Sequence, residues 1–344
     1  MKLRPGPTVR SVLIDAGSGG VVLARKFLFL PPTTETIRNW ATRLAAAVPQ
    51  LQVVVAEDLA EAEQAIGEAD AAFGTLPPPL LARAQKLRWL QAPAAAPPAG
   101  YYYPELVQHP VSVTNFRGIY NDHIAAHILA FLLAFARGLH RYLPQQLRKE
   151  WQPAPPDTGV VYLPESTALI LGVGGIGGET ARLCAAFGIR VIGIDARPQA
   201  LPAGMIALHG PDRLDQLLPQ ADWVIMTIPH TPETEGLMNM ERFRLMKSSA
   251  FLINIGRGMT VKLDDLNLAL RAGMLGGAGL DVFEQEPLPP DHALWTAPNV
   301  LLTPHTAGYG PYLDERRLAL IIDNAQRFVT GADLRNVVDK RLWF

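Results

Sequence analysis

Short apolar runs alternate with longer segments of helical pattern along most of the chain. From Lys26 onward, five of these runs are typical of strands separated by helices, which indicates a first βα domain. They are FLFL at 27–30, VVV at 53–55, DAAF at 70–73, LRWL at 87–90 and VSVT at 111–114. The Ala- and Pro-rich segment 92–104 follows the fourth run and is predicted to be a long loop, where function is often found.

A second set of apolar runs follows the polar, Pro-rich segment 152–165. It consists of ALILG at 168–172, RVIGID at 190–195, WVIMTI at 223–228, AFLINI at 250–255, AGLDVF at 278–283 and NVLLTPH at 299–305. Six such runs with helical spacers predict a parallel sheet covered on both faces. The last helical pattern, 312–330, comes after this sheet. We expect it to return to the first domain, which is then discontinuous.

Length and charge narrow the possible functions. A chain of 344 residues exceeds the size at which one core usually stops growing, so two domains are expected. Its 31 Lys and Arg against 32 Asp and Glu give a net charge of -1, without a long block of like charge. This balance argues against nucleic acid or an anionic membrane as a partner.

Segment composition indicates the compartment. The apolar stretch 124–136 is shorter than the 18 or more residues that cross a bilayer, and we interpret it as a buried helix. Residues 1–25 lack a compact apolar region followed by a cleavage signature, and are predicted to be an extension of unknown role. The single cysteine, Cys184, forms no disulfide within the chain and is expected to be a small core residue. A cytoplasmic location follows by default.

A glycine-rich turn connects the strand ALIL to a helical pattern. It has the form GxGxxG, in which Gly172 makes the tight turn, Gly174 lets a pyrophosphate approach and Gly177 packs helix on strand. The next strand ends in Asp195, with 17 residues between Gly177 and it, where an acid accepts hydrogen bonds from the adenosine ribose. This carboxylate favours NAD over NADP because it repels a 2′-phosphate, although Arg197 offsets part of that repulsion.

Three further residues fall at or beside predicted strand ends, where open α/β sheets bind ligands: Arg257, Glu286 and His305. Reduction of a 2-oxo acid needs a cation that holds the carboxylate and polarises the carbonyl, and arginine offers a planar fork for this. It also needs a proton donor, which histidine supplies near neutral pH. A carboxylate beside the histidine holds its tautomer and favours its charged form.

The other histidines have simpler interpretations. His127 and His140 lie on the predicted buried helix and at its end, where core or capping roles are expected. His230 follows a strand end and is expected to border the cofactor without titrating. No surrounding constellation distinguishes the remaining four, which are His109, His123, His209 and His292.

Together these motifs resemble one known family. The stretch from Ala168 to Asn336 is similar to the D-isomer-specific 2-hydroxyacid dehydrogenases, and a weaker similarity extends back to about Lys26. Besides GVGGIG and Asp195, the motifs that carry the resemblance are PHTPET at 229–234, INIGRG, GGAGLDVFEQEPLP, LLTPHTAGY and LRNVVD at 334–339.

The resemblance implies two α/β domains with catalysis in the cleft between them. Residues 26–122 and 306–344 would form a discontinuous, flavodoxin-like substrate domain. Residues 123–305 would form a Rossmann-type, doubly wound NAD-binding domain inserted into it. Members of the family are commonly dimers through the cofactor domain, and the helix at 124–136 suits such a contact.

The resemblance also implies site residues. Arg257, Glu286 and His305 match the family's catalytic set, and Asp281 is expected near the nicotinamide amide. The predicted cofactor-binding residues are Gly172, Gly174, Gly175, Ile176, Gly177, Asp195, Arg197, Pro229, Ile255, Asp281, His305 and Gly308. The predicted substrate-binding residues are Ala95, Ala96, Arg257 and His305, and no metal site is predicted.

Departures from the family pattern fall mainly on the substrate side. Where relatives usually have a Gly-Ala-Gly type loop that holds the substrate carboxylate, this chain has Ala94–Ala96, followed by Pro97 and Pro98. Alanine resists positive φ and proline has no N–H, so this loop takes a different or stiffer shape, crowded by the tyrosines at 101–103. Gly175 stands where many relatives place a polar side chain toward the pyrophosphate.

The sequence therefore predicts an oxidoreductase that uses NADH to convert a small 2-oxo acid, such as glyoxylate or hydroxypyruvate, to a D-2-hydroxy acid. His305 acts as the acid/base, Arg257 binds substrate and Glu286 tunes His305. The alternative from another class is an NAD(H)-sensing interaction protein on the same fold with little catalysis, which the altered 94–98 loop favours. A third possibility, oxidation of a one-carbon acid, is disfavoured by Glu286, because the formate dehydrogenases of this family have glutamine there.

Overall fold

A computed structural model describes residues 25–95, 100–155, 158–197 and 200–341. The chain divides into two compact units, one from residues 1–119 with 312–344 and one from residues 120–311. We call them the two-segment unit and the central unit. The domain boundaries expected from the sequence, after residues 122 and 305, differ from these by three and six residues. The predicted N-terminal extension lies outside the described residues, except that Arg25 already begins the first strand.

Two fully parallel sheets form the cores of the two units. The two-segment unit contains β1 (Arg25–Phe29), β2 (Leu51–Val55), β3 (Ala71–Phe73), β4 (Trp89–Gln91) and β5 (Ser112–Thr114). The central unit contains β6 (Thr167–Leu171), β7 (Arg190–Ile194), β8 (Met205–His209), β9 (Trp223–Met226), β10 (Phe251–Asn254), β11 (Gly277–Leu280) and β12 (Val300–Leu302).

Helices connect these strands. They are α1 (Glu35–Ala47), α2 (Leu59–Ala65), α3 (Pro78–Leu81), α4 (Pro104–Gln108), α5 (Asn121–Ala136), α6 (Leu139–Arg148), α7 (Gly175–Ala186), α8 (Leu214–Leu217), α9 (Met240–Phe243), α10 (Leu263–Arg271) and α11 (Leu313–Thr330). Short 3-10 turns occur at 66–68, 163–165, 211–213, 218–220, 258–260 and 293–296.

In the two-segment unit the strand order is β2-β1-β3-β4-β5, the flavodoxin-like arrangement that was predicted. Local sequence explains its elements. Thr34 caps α1 by accepting a hydrogen bond from the Ile37 N–H. The helix then buries residues at the 3.6-residue period, which are Ile37, Trp40, Ala41, Leu44 and Ala45. Helix α11 packs in the same unit, where Glu315 pairs with Arg43 of α1 at 2.7 Å.

In the central unit the strand order is β12-β11-β10-β9-β6-β7-β8. All five residues of β6 are buried, as expected for the centre of a sheet covered on both faces. The order reverses between β6 and β9, so the carboxyl ends of these strands form the switch point at which doubly wound sheets bind ligands. The predicted Rossmann-type architecture is therefore confirmed.

The sequence prediction missed one strand of this sheet. Six strands were expected and seven are found, because β8 was read as part of a connection. It lies at the sheet edge, and only Met205 of its five residues is buried. Its first four residues, MIAL, do form a short apolar run, so the signal was present in the sequence and the prediction overlooked it.

The apolar stretch at 124–136 is helical, as predicted, and its surface is used inside the central unit. Helix α5 buries Ile128, Leu132 and Phe135 completely in the core formed with β6, β9 and β10. The expectation that α5 also offers a contact to a second subunit stays a prediction. Among the described residues no single helix is long and apolar enough to cross a membrane; α5 and α6 pass that test only as a pair bent by 73°.

Candidate active site

The turn after β6 brings a helix start against a strand end. Gly172 has φ +89°, in the left-handed region that glycine adopts readily. Its carbonyl accepts a hydrogen bond from Thr227 Oγ1 at 2.6 Å. A side chain at Gly177 would overlap that same carbonyl. Both glycines are therefore required by close backbone approach, as the motif predicts.

The start of α7 is open toward any ligand. Its N-cap residue, Gly174, makes no side-chain cap, and a methyl group added at Gly174 or Gly178 would meet no described atom within 4 Å. The first N–H groups of a helix lack partners within it and carry its partial positive charge. A dinucleotide pyrophosphate fits this helix end, because its oxygens accept from those donors.

Asp195 stands directly after β7, beside the glycine turn. Its Oδ2 accepts from the Val173 N–H at 2.8 Å, and its Oδ1 accepts from the Arg197 N–H at 2.8 Å. Two backbone donors thus fix the orientation of this carboxylate. The side chain is only partly buried, which leaves acceptor capacity for a ribose hydroxyl.

Arg257 follows the end of β10 in a tightly held backbone. The buried Asn254 accepts from the Gly256 N–H at 3.0 Å and donates to the Arg257 carbonyl at 3.1 Å. Thr260 Oγ1 donates to the same carbonyl at 2.7 Å. Desolvation lowers the pKa of Arg257, and the Glu286 carboxylate acts in the opposite direction. Arginine remains charged in proteins, so this is a partly desolvated cation near an anion.

Glu286 and His305 form a direct pair. The Glu286 Oε2 lies 2.7 Å from Nδ1 of His305, and its Oε1 accepts from the Phe283 N–H at 3.0 Å. With Nδ1 directed at the carboxylate, Nε2 is the ring nitrogen left to exchange a proton with a substrate. About half of the His305 side chain is exposed (51%), so a ligand can reach it.

Asp281 organises the backbone on both sides of His305. Its carboxylate is 1% exposed and accepts from Thr303 Oγ1 (2.6 Å), the Thr306 N–H (2.8 Å) and the Ala307 N–H (2.9 Å). His305 lies between these donors with φ +54°, a conformation that is uncommon for a residue with a ring. The buried carboxylate therefore holds His305 in place. The expectation that Asp281 lies near the nicotinamide stays a prediction.

The other predicted cofactor residues occupy the same unit. Pro229 follows β9 and accepts from Thr234 Oγ1 at 2.8 Å. Ile255 is buried just before Arg257, and a methyl group at Gly308 would lie 3.7 Å from the Tyr120 ring. Ile176 is partly buried in the first turn of α7.

The predicted substrate loop belongs to the two-segment unit. The Ala95 carbonyl accepts from Asn115 Nδ2 at 2.8 Å, and Ala96 lies outside the described residues together with Pro97 and Pro98. Two of the three tyrosines that were expected to crowd this loop, Tyr101 and Tyr102, are buried in the core instead. The hydroxyl of Tyr101 donates to the Gly74 carbonyl at 3.0 Å.

The chain is similar in sequence and in structure to known proteins. Residues 129–307, more than half of the chain, match the model of the D-isomer specific 2-hydroxyacid dehydrogenase NAD binding domain. The chain belongs to the D-isomer specific 2-hydroxyacid dehydrogenase family. Members of this family take nicotinamide cofactors, and the match includes the glycine turn, Arg257, Glu286 and His305.

Characterised relatives and solved structures agree with this membership. The chain is 33% identical over 243 residues to a glyoxylate reductase of Korarchaeum cryptofilum. The aligned region covers 69% of this chain and 72% of the relative. A family structure from Xanthobacter autotrophicus Py2, solved with NADPH and MES, superposes with TM-score 0.80 at 30% identity, covering 93% of this chain and all of that one. An NADPH-dependent glyoxylate/hydroxypyruvate reductase from Sinorhizobium meliloti, solved with NADP and sulfate, gives TM-score 0.77 at 26% identity, with 93% and 100% covered.

Sequence reasoning missed the polar residues that support the family motifs. His127 was expected to have a core or capping role, but its Nε2 lies 2.9 Å from Thr303 Oγ1. Since the Thr303 hydroxyl donates to Asp281, it accepts from His127, and a chain of hydrogen bonds leads from α5 to the His305 segment. A usable signal was Asn254, a polar residue inside the apolar run AFLINI. No local signal marked the pairing of His127 with Thr303, which are 176 positions apart.

We predict that acid destabilises the fold partly through His127. Burial lowers the pKa of His127, and Asp281 raises it by a smaller amount. A histidine with a lowered pKa binds fewer protons folded than unfolded, so stability is lost as pH falls below its ordinary value of about 6.5. His127→Gln keeps a donor for Thr303 but does not titrate. In thermal unfolding from pH 8 to pH 5, this variant should lose less Tm than the wild type.

Two other histidines contribute to the same acid dependence, because burial also lowers the pKa of His109 and His140. Their replacement by glutamine provides the comparison for the size of the effect. Equal acid sensitivity of His127→Gln and wild type would contradict the assignment of His127.

Proposed function

We propose that this protein is an NADH-dependent reductase of small 2-oxo acids such as glyoxylate or hydroxypyruvate, giving the D-2-hydroxy acid. The observation that carries the proposal is the 2.7 Å pair of His305 and Glu286 with Arg257 nearby, at the carboxyl ends of adjacent strands. We further propose that the central unit is the cofactor domain and the two-segment unit the substrate domain. The names of the relatives support the substrate class.

Each residue has a distinct role in this reaction. The Arg257 guanidinium binds the substrate carboxylate and polarises the adjacent carbonyl. His305 donates the Nε2 proton to the carbonyl oxygen as negative charge develops there. Glu286 holds Nδ1–H and balances the charge of the imidazolium. The cofactor, when bound, supplies a hydride to C2.

Glu286 also separates this reaction from oxidation of formate. Formate has no hydroxyl proton to remove, so that reaction needs no base on oxygen. A carboxylate placed 2.7 Å from the His305 ring serves a histidine that gains and loses a proton. This arrangement favours a hydroxy acid as the reduced substrate.

Replacement of His305 or of Arg257 should impair the proposed reaction in different ways. We expect His305→Gln to lower kcat/KM for glyoxylate by about 10²- to 10⁴-fold, because the proton donor is lost. Arg257→Lys should raise KM for the oxo acid at least tenfold, since a lysine cannot form the planar fork. NADH consumption with a panel of 2-oxo acids measures both effects.

The matched control is His292→Asn, which keeps a side-chain acceptor for the Leu294 N–H that His292 caps. It should retain wild-type turnover. Unchanged turnover in His305→Gln would refute the mechanism. Absence of turnover by the wild type across the panel, with NADH-dependent oligomerisation, would instead favour the NAD(H)-sensing protein.

Cofactor preference follows from Asp195. The relatives from Xanthobacter and Sinorhizobium were solved with NADPH or NADP, so we argue the preference from this chain's own residues. The carboxylate, fixed by the Val173 and Arg197 N–H groups, would accept from the ribose 2′-hydroxyl and repel a 2′-phosphate. We therefore propose NADH as the preferred cofactor.

We expect the ratio of kcat/KM for NADH to that for NADPH to exceed about tenfold, which corresponds to 1.4 kcal/mol of discrimination. Asp195→Asn should lower this ratio by about the same factor, because the negative charge is removed. The exposed Asp264 gives the control variant Asp264→Asn, which should leave the ratio unchanged. A wild type that prefers NADPH would overturn this assignment.

We also propose that the protein is a homodimer through the central unit. Helix α6 buries none of its residues, although Leu139, Leu143 and Leu147 recur every fourth position along it. They are 46%, 51% and 86% exposed, and the following Trp151 is 94% exposed. An apolar stripe of this kind on a helix that buries no residue fully fits a second copy of the chain.

Charge on this stripe should dissociate the dimer. We expect Leu143→Glu with Leu147→Glu to give a monomer in light scattering coupled to size exclusion, while the wild type elutes as a dimer. Leu268→Glu, on an exposed position of α10, controls for the added charge and should remain dimeric. A monomeric wild type, or a dimeric double variant, contradicts the proposal.

A further inference from the structure

The space beside Gly175 is filled by a side chain from another helix. Gly175 is the first residue of α7 and Asn121 the first residue of α5. A methyl group placed on Gly175 would lie 2.9 Å from Cγ and from Oδ1 of Asn121, and would overlap the amide nitrogen. The Asn121 amide thus occupies the volume that a side chain at position 175 would fill.

Two helices begin at this point. Neither α7, with Gly174 as N-cap, nor α5, with Tyr120, has a side-chain cap. Each helix N-terminus carries a partial positive charge, and α5 and α7 are 16 and 12 residues long. An anion at the start of α7 is thus also close to the start of α5, where Asn121 stands.

The donors of the Asn121 amide have no partner among the residues that the structure describes. Over the described ranges, the Asn121 side chain makes no hydrogen bond with another residue. The side chain is partly exposed, so a ligand can reach it. Its NH2 group has two donors and suits a phosphate oxygen. A purely structural link between α5 and α7 would instead show a hydrogen bond to α7.

We propose that Asn121 binds the cofactor by donating a hydrogen bond to the pyrophosphate, in place of a side chain at position 175. This inference rests on the proposed cofactor site at Gly172–Gly177. The inference makes the two residues depend on each other, because the Asn121 amide can keep its position only if residue 175 is glycine. A side chain at 175 displaces the amide, because the Cβ and the amide claim one volume.

The test is a double-mutant cycle on ligand binding by the intact protein. The variants are Asn121→Ala, Gly175→Ala and the combination of the two, and calorimetry gives Kd for NADH and for ADP-ribose, which lacks the nicotinamide. We expect each single variant to weaken both ligands about tenfold, the loss of one hydrogen bond to a charged group. The combination should be no weaker than Asn121→Ala alone, because both changes remove the same contact.

Asn267→Ala is the control, since it removes the same kind of side chain from α10, where Asn267 accepts a hydrogen bond from Arg271 Nε at 3.0 Å. It should bind both ligands within twofold of wild type. Thermal unfolding of each variant without ligand checks that it is folded, and a misfolded Gly175→Ala leaves the comparison of Asn121→Ala with wild type decisive.

Two results would overturn the inference: ADP-ribose affinity unchanged in Asn121→Ala, whether or not NADH binds more weakly, or losses that multiply in the combined variant. In each of these the wild type still binds the dinucleotide, so the proposed function stands. A wild type that binds neither ligand contradicts the proposed cofactor site and this inference together.

Discussion

The buried carboxylate of Asp281 is the constraint on which the site depends. A carboxylate without access to water costs several kcal/mol unless hydrogen bonds satisfy it. Here all the close donors come from one short segment, the Thr303 hydroxyl and the N–H groups of Thr306 and Ala307. Because these donors lie on both sides of His305, satisfying the carboxylate also fixes the histidine at its positive φ. The ring of His305, the proposed proton donor, is thus positioned by a carboxylate on another segment.

The order of the strands in the sheet brings the residues of the candidate site together. β10, β11 and β12 are neighbours in space and follow each other in the chain, so the segments after them lie at one edge. Arg257 comes from the first segment, Glu286 from the second and His305 from the third. A side chain at Gly258 would overlap the Phe283 carbonyl, which shows how closely the first two segments pack. The backbone segments that carry Arg257 and Glu286 are therefore tightly packed against each other.

This agreement between chain order and space explains what could be predicted from sequence. The glycine turn, Arg257 and Glu286 follow buried parallel strands, His305 follows the partly buried edge strand β12, and all these strands are recognisable from apolar runs alone. The predictions failed where the pattern is weak or the partner distant. The short run of β8 was read as part of a connection, His127 of α5 contacts Thr303 just after β12, and Asn121 meets Gly175 across 54 positions. The spacing of apolar residues in one sequence does not show which distant residues are in contact.

The residues of the candidate site carry more information about the reaction than about the substrate. Proton transfer and carboxylate binding need a few side chains of fixed chemistry, and the family membership and the geometry of one unit agree on them. Recognition of the rest of a 2-oxo acid depends on shape and on backbone donors, and the loop predicted for that role departs from the family at Ala94–Ala96. Its Ala95 carbonyl is already engaged by Asn115. Alanine and proline side chains have no polar atoms, so any hydrogen bond from this loop to a substrate would have to come from the N–H groups of its alanines.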